Sequence, residues 1–426
     1  MTHAPSTRSA AASPRSPAVV RLVSARWVYP IEQPPIAEGT VALDAGDVIV
    51  DVGRRADLVA RFSAAPEERA QGLLMPGLVN AHTHLELSAL AGLGTGGQGL
   101  VAWTGTVVDA RAALTRDAIQ AAAHAAAQAA VALGTAAVGD VGNSLDAVPA
   151  IAAAGLRGMV FHELLGSREA RTGDALADAA RELGALTAAR GGWPTGLGYV
   201  PAPHAPYSAS AELLRRIFST AARAGLPTSI HVAEDPDELA LLRDGSGRWP
   251  AVLTALGVSP ASRTPGLTPV AYLASLGAFD TPAPPLLVHM VHVSDDDRQR
   301  ARAAGATAVL CPRSNLHIGG VVADVPALLR EGVALALGTD SLASTADLSL
   351  WAEMTALHER FPSLPATLWL DAATRGGAEA LRLPACGALA AGKRPGLLDV
   401  MIDDAQAPLA SLVRNPNPSV RWVARA

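Results

Sequence analysis

Read for the periodicity of its apolar positions, the chain falls into three stretches. From Val19 to Val52 short apolar runs carry interleaved polar residues, VVRLVSARWVYP and then GTVALDAGDVIVDVG, with Gly39, Gly46 and Gly53 as turn punctuation. The far end, Leu397 to Val423, has the same texture in LLDVMIDDA and SVRWVARA. Between them, from Pro76 to Leu383, eight near-continuous apolar runs alternate with helix-length segments: GLVNAHTH, GTAAVGDVG, LRGMVFHEL, GLGYVPAPHAP, LPTSIHVAED, PLLVHMVHV, ATAVLCPRSN and VALALGTDS. Such runs are the mark of parallel strands buried on both faces. Ala118–Leu133 and Ala211–Ala224 are rich in strong helix formers. Eight strand–helix units in about 300 residues predict a (β/α)8 TIM barrel, so the fold class is α/β. The expected boundaries are 76–383 for the barrel, and 18–75 with 384–426 for a small β-sandwich domain formed by both chain ends. Residues 1–17, rich in Ser, Ala and Pro with no apolar core, are expected to be a disordered tail and not a secretory leader. Arg243 to Pro269, rich in Gly, Pro and Ser, reads as a long loop after the fifth strand.

Composition narrows the function classes. Half of the 426 residues are hydrophobic and 17% are charged, which excludes disorder of the whole chain. The net charge of −5 offers no basic excess for nucleic acid or an anionic membrane. Apolar stretches are interrupted before the ~20 residues that a bilayer span requires. Two cysteines, Cys311 and Cys386, exclude a disulfide framework and suit a reducing, cytoplasmic setting. Cys311 reads as a small core residue. A small-molecule substrate is the expected partner, and a homodimer stays open.

The polar residues at the ends of the apolar runs carry the chemistry. A barrel presents its active site at the C-terminal ends of its strands. There the sequence places His82-Thr83-His84-Leu85-Glu86, His162-Glu163, His204, His231 with Glu234-Asp235, His289 with His292, and Thr339-Asp340-Ser341. With His317, just after the CPRSN run, eight of the eleven histidines lie at or just after these runs; only His3, His124 and His358 do not. His-x-His on a strand sets both imidazoles on one face. With a third histidine and a carboxylate, such a pair completes a divalent-metal site with room for water. The glycine run Gly92–Gly99 matches neither a P-loop nor a dinucleotide fingerprint and reads as a mobile loop over the barrel mouth. Trp103, just beyond it, is a candidate for stacking on a base or for packing.

PGLVNAHTHLELS, HVAED, LVHMVHV and GTDS, in this order at strand ends, resemble the amidohydrolase superfamily from about Val19 to the C-terminus, and LAAGKRPGLLDVMI resembles its strand-rich return. The resemblance implies metal ligation by His82, His84, His231 and Asp340. It also implies a proton shuttle at Glu234 and a water-orienting role for His289, with Asp340 serving the chemistry as well as the metal. Binuclear members of the superfamily bridge their metals with a lysine on strand four. The single lysine here is Lys393, far beyond the barrel, so one divalent metal is expected, zinc first, with iron and manganese as alternatives. Mononuclear members are mostly deaminases of heterocyclic amines. HTHLELS, PHAPYS, CPRSN and GTDSLAS followed by DLSLW most resemble aminodeoxyfutalosine deaminases of menaquinone biosynthesis. The deaminases of adenosine, S-adenosylhomocysteine and methylthioadenosine stand next, then hydrolases of other C–N or C–Cl bonds. By this resemblance His204 meets a ribose and Ser344 the purine ring. Glu86, two residues after His84, is expected to point into the mouth and hold a polar substituent. His162, Glu163 and His292 receive no settled role, and His317 is expected in a loop after CPRSN.

Overall fold

The structure is a computed structural model that describes residues 19–94, 96–166 and 172–426; the expected tail, 1–17, lies outside the described residues. Five strands come first: β1 (Arg21–Val28), β2 (Ile36–Leu43), β3 (Ile49–Arg54), β4 (Glu67–Arg69) and β5 (Leu73–Pro76). Eight more follow, one in each apolar run of the middle stretch. They are β6 (Leu78–Thr83), β7 (Thr135–Gly142), β8 (Arg157–Leu164), β9 (Leu197–Pro203), β10 (Ser229–Val232), β11 (Leu286–His289), β12 (Thr307–Leu310) and β13 (Ala334–Leu337). Two strands close the chain, β14 (Leu397–Val400) and β15 (Val420–Ala424).

The two chain ends share one seven-stranded sheet in the order β15-β14-β5-β1-β2-β3, with β4 paired to β1. Val23, Val41, Ile49, Leu74, Leu397 and Ala424, drawn from six of its strands, bury one common core. The middle strands form two parallel sheets, β6-β7-β8-β9 and β10-β11-β12-β13. Their strands are buried along most of their length, as the continuous apolar runs require. The sheets meet at both edges. The His231 N–H donates to the His204 carbonyl at 3.0 Å, and the Thr339 N–H donates to the His82 carbonyl at 3.0 Å. Thr83 and Asp340 form a parallel bridge at the second edge. Gly338 permits that approach, because a Cβ there would lie 2.7 Å from the His82 carbonyl oxygen and 3.0 Å from Cys311 Sγ.

The helix predicted at Ala211–Ala224 has those bounds, with Ser210 accepting the Leu213 N–H at its start and Gly225 in the left-handed region at its end. The Ala118–Leu133 helix runs Arg116–Ala132, capped by Thr115. Two loop expectations are corrected. The stretch from Arg243 to Pro269 holds the end of the helix Pro236–Asp244, the helix Trp249–Ala255, a 3-10 turn at Pro260–Arg263 and the start of the helix Pro269–Ser275. His317 sits in the helix Pro312–Ile318 and not in a loop. Each of these elements carries proline in its first two positions, where the missing N–H has no intrahelical partner to lose. Proline read as a loop marker was a helix start. Among the described residues no helix is long and apolar enough to cross a membrane.

Candidate functional site

His82, His84, His231 and Asp340 converge where β6, β10 and β13 end. The Nε2 atom of His231 lies 3.2 Å from Nε2 of His84 and 3.3 Å from Nε2 of His82. Asp340 Oδ1 is 3.6 Å from His84 Nε2 and 4.0 Å from His82 Nε2. These nitrogen pairs are not ordinary hydrogen bonds. His231 Nδ1–H donates to the His204 carbonyl at 2.9 Å, which leaves the Nε2 lone pair facing its neighbours. Burial, followed by the mutual repulsion of the rings, holds His82 well below its ordinary pKa; burial and the His204 ring bring His84 to about 3, and the same causes bring His231 to about 4. The rings are therefore neutral, the form in which imidazole ligates a metal. Nδ1 of His82 is buried without a partner among the described residues. Three imidazoles and one carboxylate, linked by pairs 3.2–4.0 Å apart inside a wider set of overlapping triads that also draws in His289, Glu163 and His204, fit a divalent cation.

Beside this cluster Glu234 Oε2 lies 3.4 Å from His289 Nε2. Burial, then the nearby Asp340 charge, raises the Glu234 carboxyl well above the usual range. Two residues of the CPRSN run hold the neighbours in place. Ser314 Oγ–H donates to Asp340 Oδ2 at 2.6 Å, and Asn315 Nδ2 donates to His289 Nδ1 at 3.0 Å. The sequence singled out that run without assigning it a task. The backbone here is strained: Ala233, His289, Met290 and Asp340 all have positive φ, at 53°, 77°, 51° and 57°. For residues with a Cβ this is costly, and such conformations gather where geometry serves function.

A cavity of about 710 Å³ opens beside the cluster. Glu163, His204, Asn143 and Ser208 lie on its polar wall with Asp109, Asp174, Asp178 and Glu182, and Val101, Val108, Leu165, Trp249, Val252 and Leu256 form much of its apolar side. Glu163 Oε1 is 3.5 Å from His231 Nδ1, and the His204 and His231 ring centroids are 4.9 Å apart, so this wall abuts the cluster. Burial raises Glu163 to about 7, against the opposing pull of His231, and lowers His204 to about 4. His162 stands in the same wall, its Nδ1 3.0 Å from the Tyr199 hydroxyl and its Nε2 3.4 Å from Glu182. His292 borders a smaller cavity of about 330 Å³ with Glu234, Asp235 and Asn315.

One expectation meets a different geometry. The strand ends at Thr83, and Leu85–Leu90 is a 3-10 helix, so the alternation that would aim Glu86 into the mouth stops before reaching it. Its buried carboxylate instead accepts from the Asn143 N–H at 2.6 Å, the Ser144 hydroxyl at 2.7 Å and the Ser144 N–H at 3.2 Å, and pairs with Arg111 at 3.0 Å. Ser344 is buried, its hydroxyl donating to the Ser341 carbonyl at 3.3 Å and lying against the Asp340 carboxylate, whose pKa rise it opposes. Trp103 lies in the helix Leu100–Ala112 and packs in an apolar cluster with Leu100, Tyr207 and Trp249. The glycine run before it is tied down: the N–H groups of Gly97 and Gly99 donate to the carbonyls of His317 and Ile318. Cys311 is a buried core residue, as expected.

The amidohydrolase family profile matches residues 73–423. An aminodeoxyfutalosine deaminase of Deinococcus radiodurans is 37% identical over 343 residues, 78% of this chain and 79% of the relative. A 5-methylthioadenosine/S-adenosylhomocysteine deaminase of Nitratidesulfovibrio vulgaris is 30% identical over 393 residues, 89% of this chain and 82% of the relative. Among solved structures, an adenosine deaminase of Xanthomonas campestris with bound zinc superposes with a TM-score of 0.74 at 25% identity, covering 97% of this chain and 93% of that one.

Proposed function

The chain belongs to the amidohydrolase family, and on that premise we propose that it is a hydrolytic deaminase of a purine nucleoside, with 6-amino-6-deoxyfutalosine the preferred substrate. The observation that carries this reading is the meeting of four ligand-type side chains with a buried Glu234 set against His289. The fold belongs to the same reading. We take β6–β13 as one closed (β/α)8 barrel over 76–383, supported by the hydrogen bonds across both sheet edges. The seven-stranded sheet, curled about its single core, is then the β-sandwich domain of 18–75 and 384–426.

His82, His84, His231 and Asp340 would hold one divalent ion, zinc in the first instance. When bound, such an ion supplies Lewis-acid activation of water at neutral pH. The remaining work falls to the side chains. His289, fixed by Asn315, and Asp340, fixed by Ser314, orient the attacking water toward the amino-bearing ring carbon. Glu234 Oε2 accepts a proton from that water and delivers it to the adjacent ring nitrogen, so charge does not accumulate on the ring during attack. The tetrahedral carbon then collapses: its new hydroxyl gives up its proton to Asp340, which passes it to the amine as the C–N bond breaks. Ammonia and the 6-oxo purine leave. His204 faces the ribose, the apolar side of the large cavity takes a bulky 5′ extension, and Ser344 steadies Asp340 from the strand-end loop.

Ammonia release measured across aminodeoxyfutalosine, methylthioadenosine, S-adenosylhomocysteine, adenosine, guanine and cytosine tests the reading. The highest kcat/KM should fall on aminodeoxyfutalosine; a free base as best substrate would defeat it. The second reading, a methylthioadenosine or S-adenosylhomocysteine deaminase, is favoured by the longer match to the relative of that name, 89% of this chain.

A further inference from the structure

The helix Pro312–Ile318 carries two props of the site, Ser314 on Asp340 and Asn315 on His289, yet it has no cap of its own. Its N-cap is Cys311, whose side chain makes no capping bond, and Pro312 at its first position brings no N–H. The next N–H, that of Arg313, is answered from another helix: Glu353 Oε2 accepts it at 3.0 Å. Glu353 is 0% exposed and lies in the helix Leu350–Arg360. Leu350, Trp351, Met354 and Leu357 set that helix in the core, and Trp351 Nε1 donates to the Leu133 carbonyl at 2.8 Å. A short helix is thus fastened at its start to a firmly packed one.

Burying a carboxyl group is expensive, so a glutamate in the core calls for an explanation. An ion pair alone does not give one. Arg313 Nη1 stops 3.6 Å from Glu353 Oε1 and donates instead to Asp347 Oδ1 at 2.7 Å. Glu353 Oε1 has no hydrogen-bond partner among the described residues. Asp347 Oδ1 also accepts the Ser349 N–H at 3.0 Å, so the starts of the two helices are tied a second time. What Glu353 itself secures is one backbone N–H, and the next two residues are Ser314 and Asn315. We propose that Glu353 is a positioning residue for the reaction: by capping Pro312–Ile318 from a neighbouring helix, it holds Ser314 on Asp340 and Asn315 on His289. Movement of the helix start lengthens both of those bonds together. The proposal rests on the roles given above to Asp340 and His289 and adds to them a residue outside the site.

The test sets Glu353→Met, which keeps the length of the side chain and removes both oxygens, against Glu353→Gln, which keeps an acceptor. Burial brings the Glu353 carboxyl up to about 8 against the opposing pull of Arg313, so a neutral amide is a close stand-in for the acid. For each variant, kcat and KM are measured on the nucleoside that wild type deaminates fastest, with metal retention against a chelator and the denaturant midpoint. Glu353→Met should lower kcat about 10–100-fold, as loss of an outer support does, with KM changed less. Its hold on the metal should weaken too, because Ser314 no longer fixes Asp340. Glu353→Gln should recover most of both. Arg313→Ala, which keeps the backbone N–H, should cost stability and spare kcat. In a Ser314→Ala, Asn315→Ala background Glu353→Met should lower kcat little further, because the props it works through are gone. The same factor in both backgrounds would overturn the proposal. So would an intact kcat in Glu353→Met with only the denaturant midpoint lowered, or a Glu353→Gln as impaired as Glu353→Met. If Glu353→Met does not fold, Glu353→Ala, which also removes both oxygens and adds no bulk, carries the same expectations. Wild type that releases no ammonia from any nucleoside would defeat the deaminase reading, and the metal-retention arm would then decide the proposal by itself.

Discussion

The two parallel sheets of the middle stretch are built differently. In β6-β7-β8-β9 the strands run six to eight residues, and no residue with a Cβ at their ends has positive φ. In β10-β11-β12-β13 each strand is four residues long, and three of the four end regions contain left-handed residues: Ala233, His289 with Met290, and Asp340. The division of labour follows. The second sheet supplies His231, Glu234, His289 and Asp340, whose positions must hold to a fraction of an ångström, and strained backbone with hydroxyl and amide props from Ser314 and Asn315 holds them. From the ends of β7, β8 and β9 the first sheet supplies the cavity wall of Asn143, Glu163 and His204, unstrained and with one carboxylate oxygen, Glu163 Oε1, without a hydrogen-bond partner among the described residues. Only His82 on β6 and His84 just beyond its end, at the shared edge, cross from one task to the other. On the proposed mechanism, the chemical residues are held by strained backbone together with hydrogen bonds, and the cavity wall by hydrogen bonds alone.

That contrast can be broken in order of expected effect. Removing the metal with a chelator should abolish turnover, and one equivalent of divalent ion should restore it; activity that survives complete metal loss would refute the ligand assignment. Glu234→Gln should keep its metal while kcat falls by ~10²–10⁴-fold, the usual weight of a general acid–base group. Retained activity would move the shuttle elsewhere. Asn315→Ala and Ser314→Ala act through the residues they hold, and outer-shell losses of this kind cost about 10–100-fold in metal affinity or activity. These should appear in kcat, whereas His204→Ala, on the first sheet, should appear chiefly in KM. If both sheets gave the same kinetic signature, the division would fail.

The smallest effect concerns stability. Asp140 on β7 is buried and raised to about 7 by that burial, against the opposing Leu85 N–H bond. Because its folded pKa lies above the unfolded value of about 3.9, its stabilising contribution is complete below that pH and is lost as pH rises through 7. Asp140→Asn should therefore gain about 1–3 kcal/mol relative to wild type at pH 8 and nothing at pH 4. Denaturant midpoints at the two pH values decide it; parallel shifts would show that Asp140 does not titrate in this window.

The sequence made the first kind of residue easier to find than the second. All eight strands fall inside the predicted runs, because buried parallel strands are written as unbroken apolar segments. The ligand-type residues were equally visible, since histidines at strand ends are otherwise expensive. Ser314 and Asn315 were not, because a serine and an asparagine in a helix that starts with proline carry no signal until the fold sets them under Asp340 and His289. Glu86 misled for a related reason: period-two reasoning was carried past Thr83 into a 3-10 helix, where it no longer holds. Glu163 was visible as a residue but not as an open acceptor, which depends on Asn143 closing its other oxygen. Strand periodicity is local in sequence, and the hydrogen bonds between loops are not.

The most direct measurement of the central claim is a titration of divalent metal into the chelated protein, with ammonia release from a purine nucleoside as the readout. Activity should rise linearly and saturate at one ion per chain, and His231→Ala should show no such endpoint. Saturation at two ions per chain, or ammonia release that does not depend on added metal, would contradict the account.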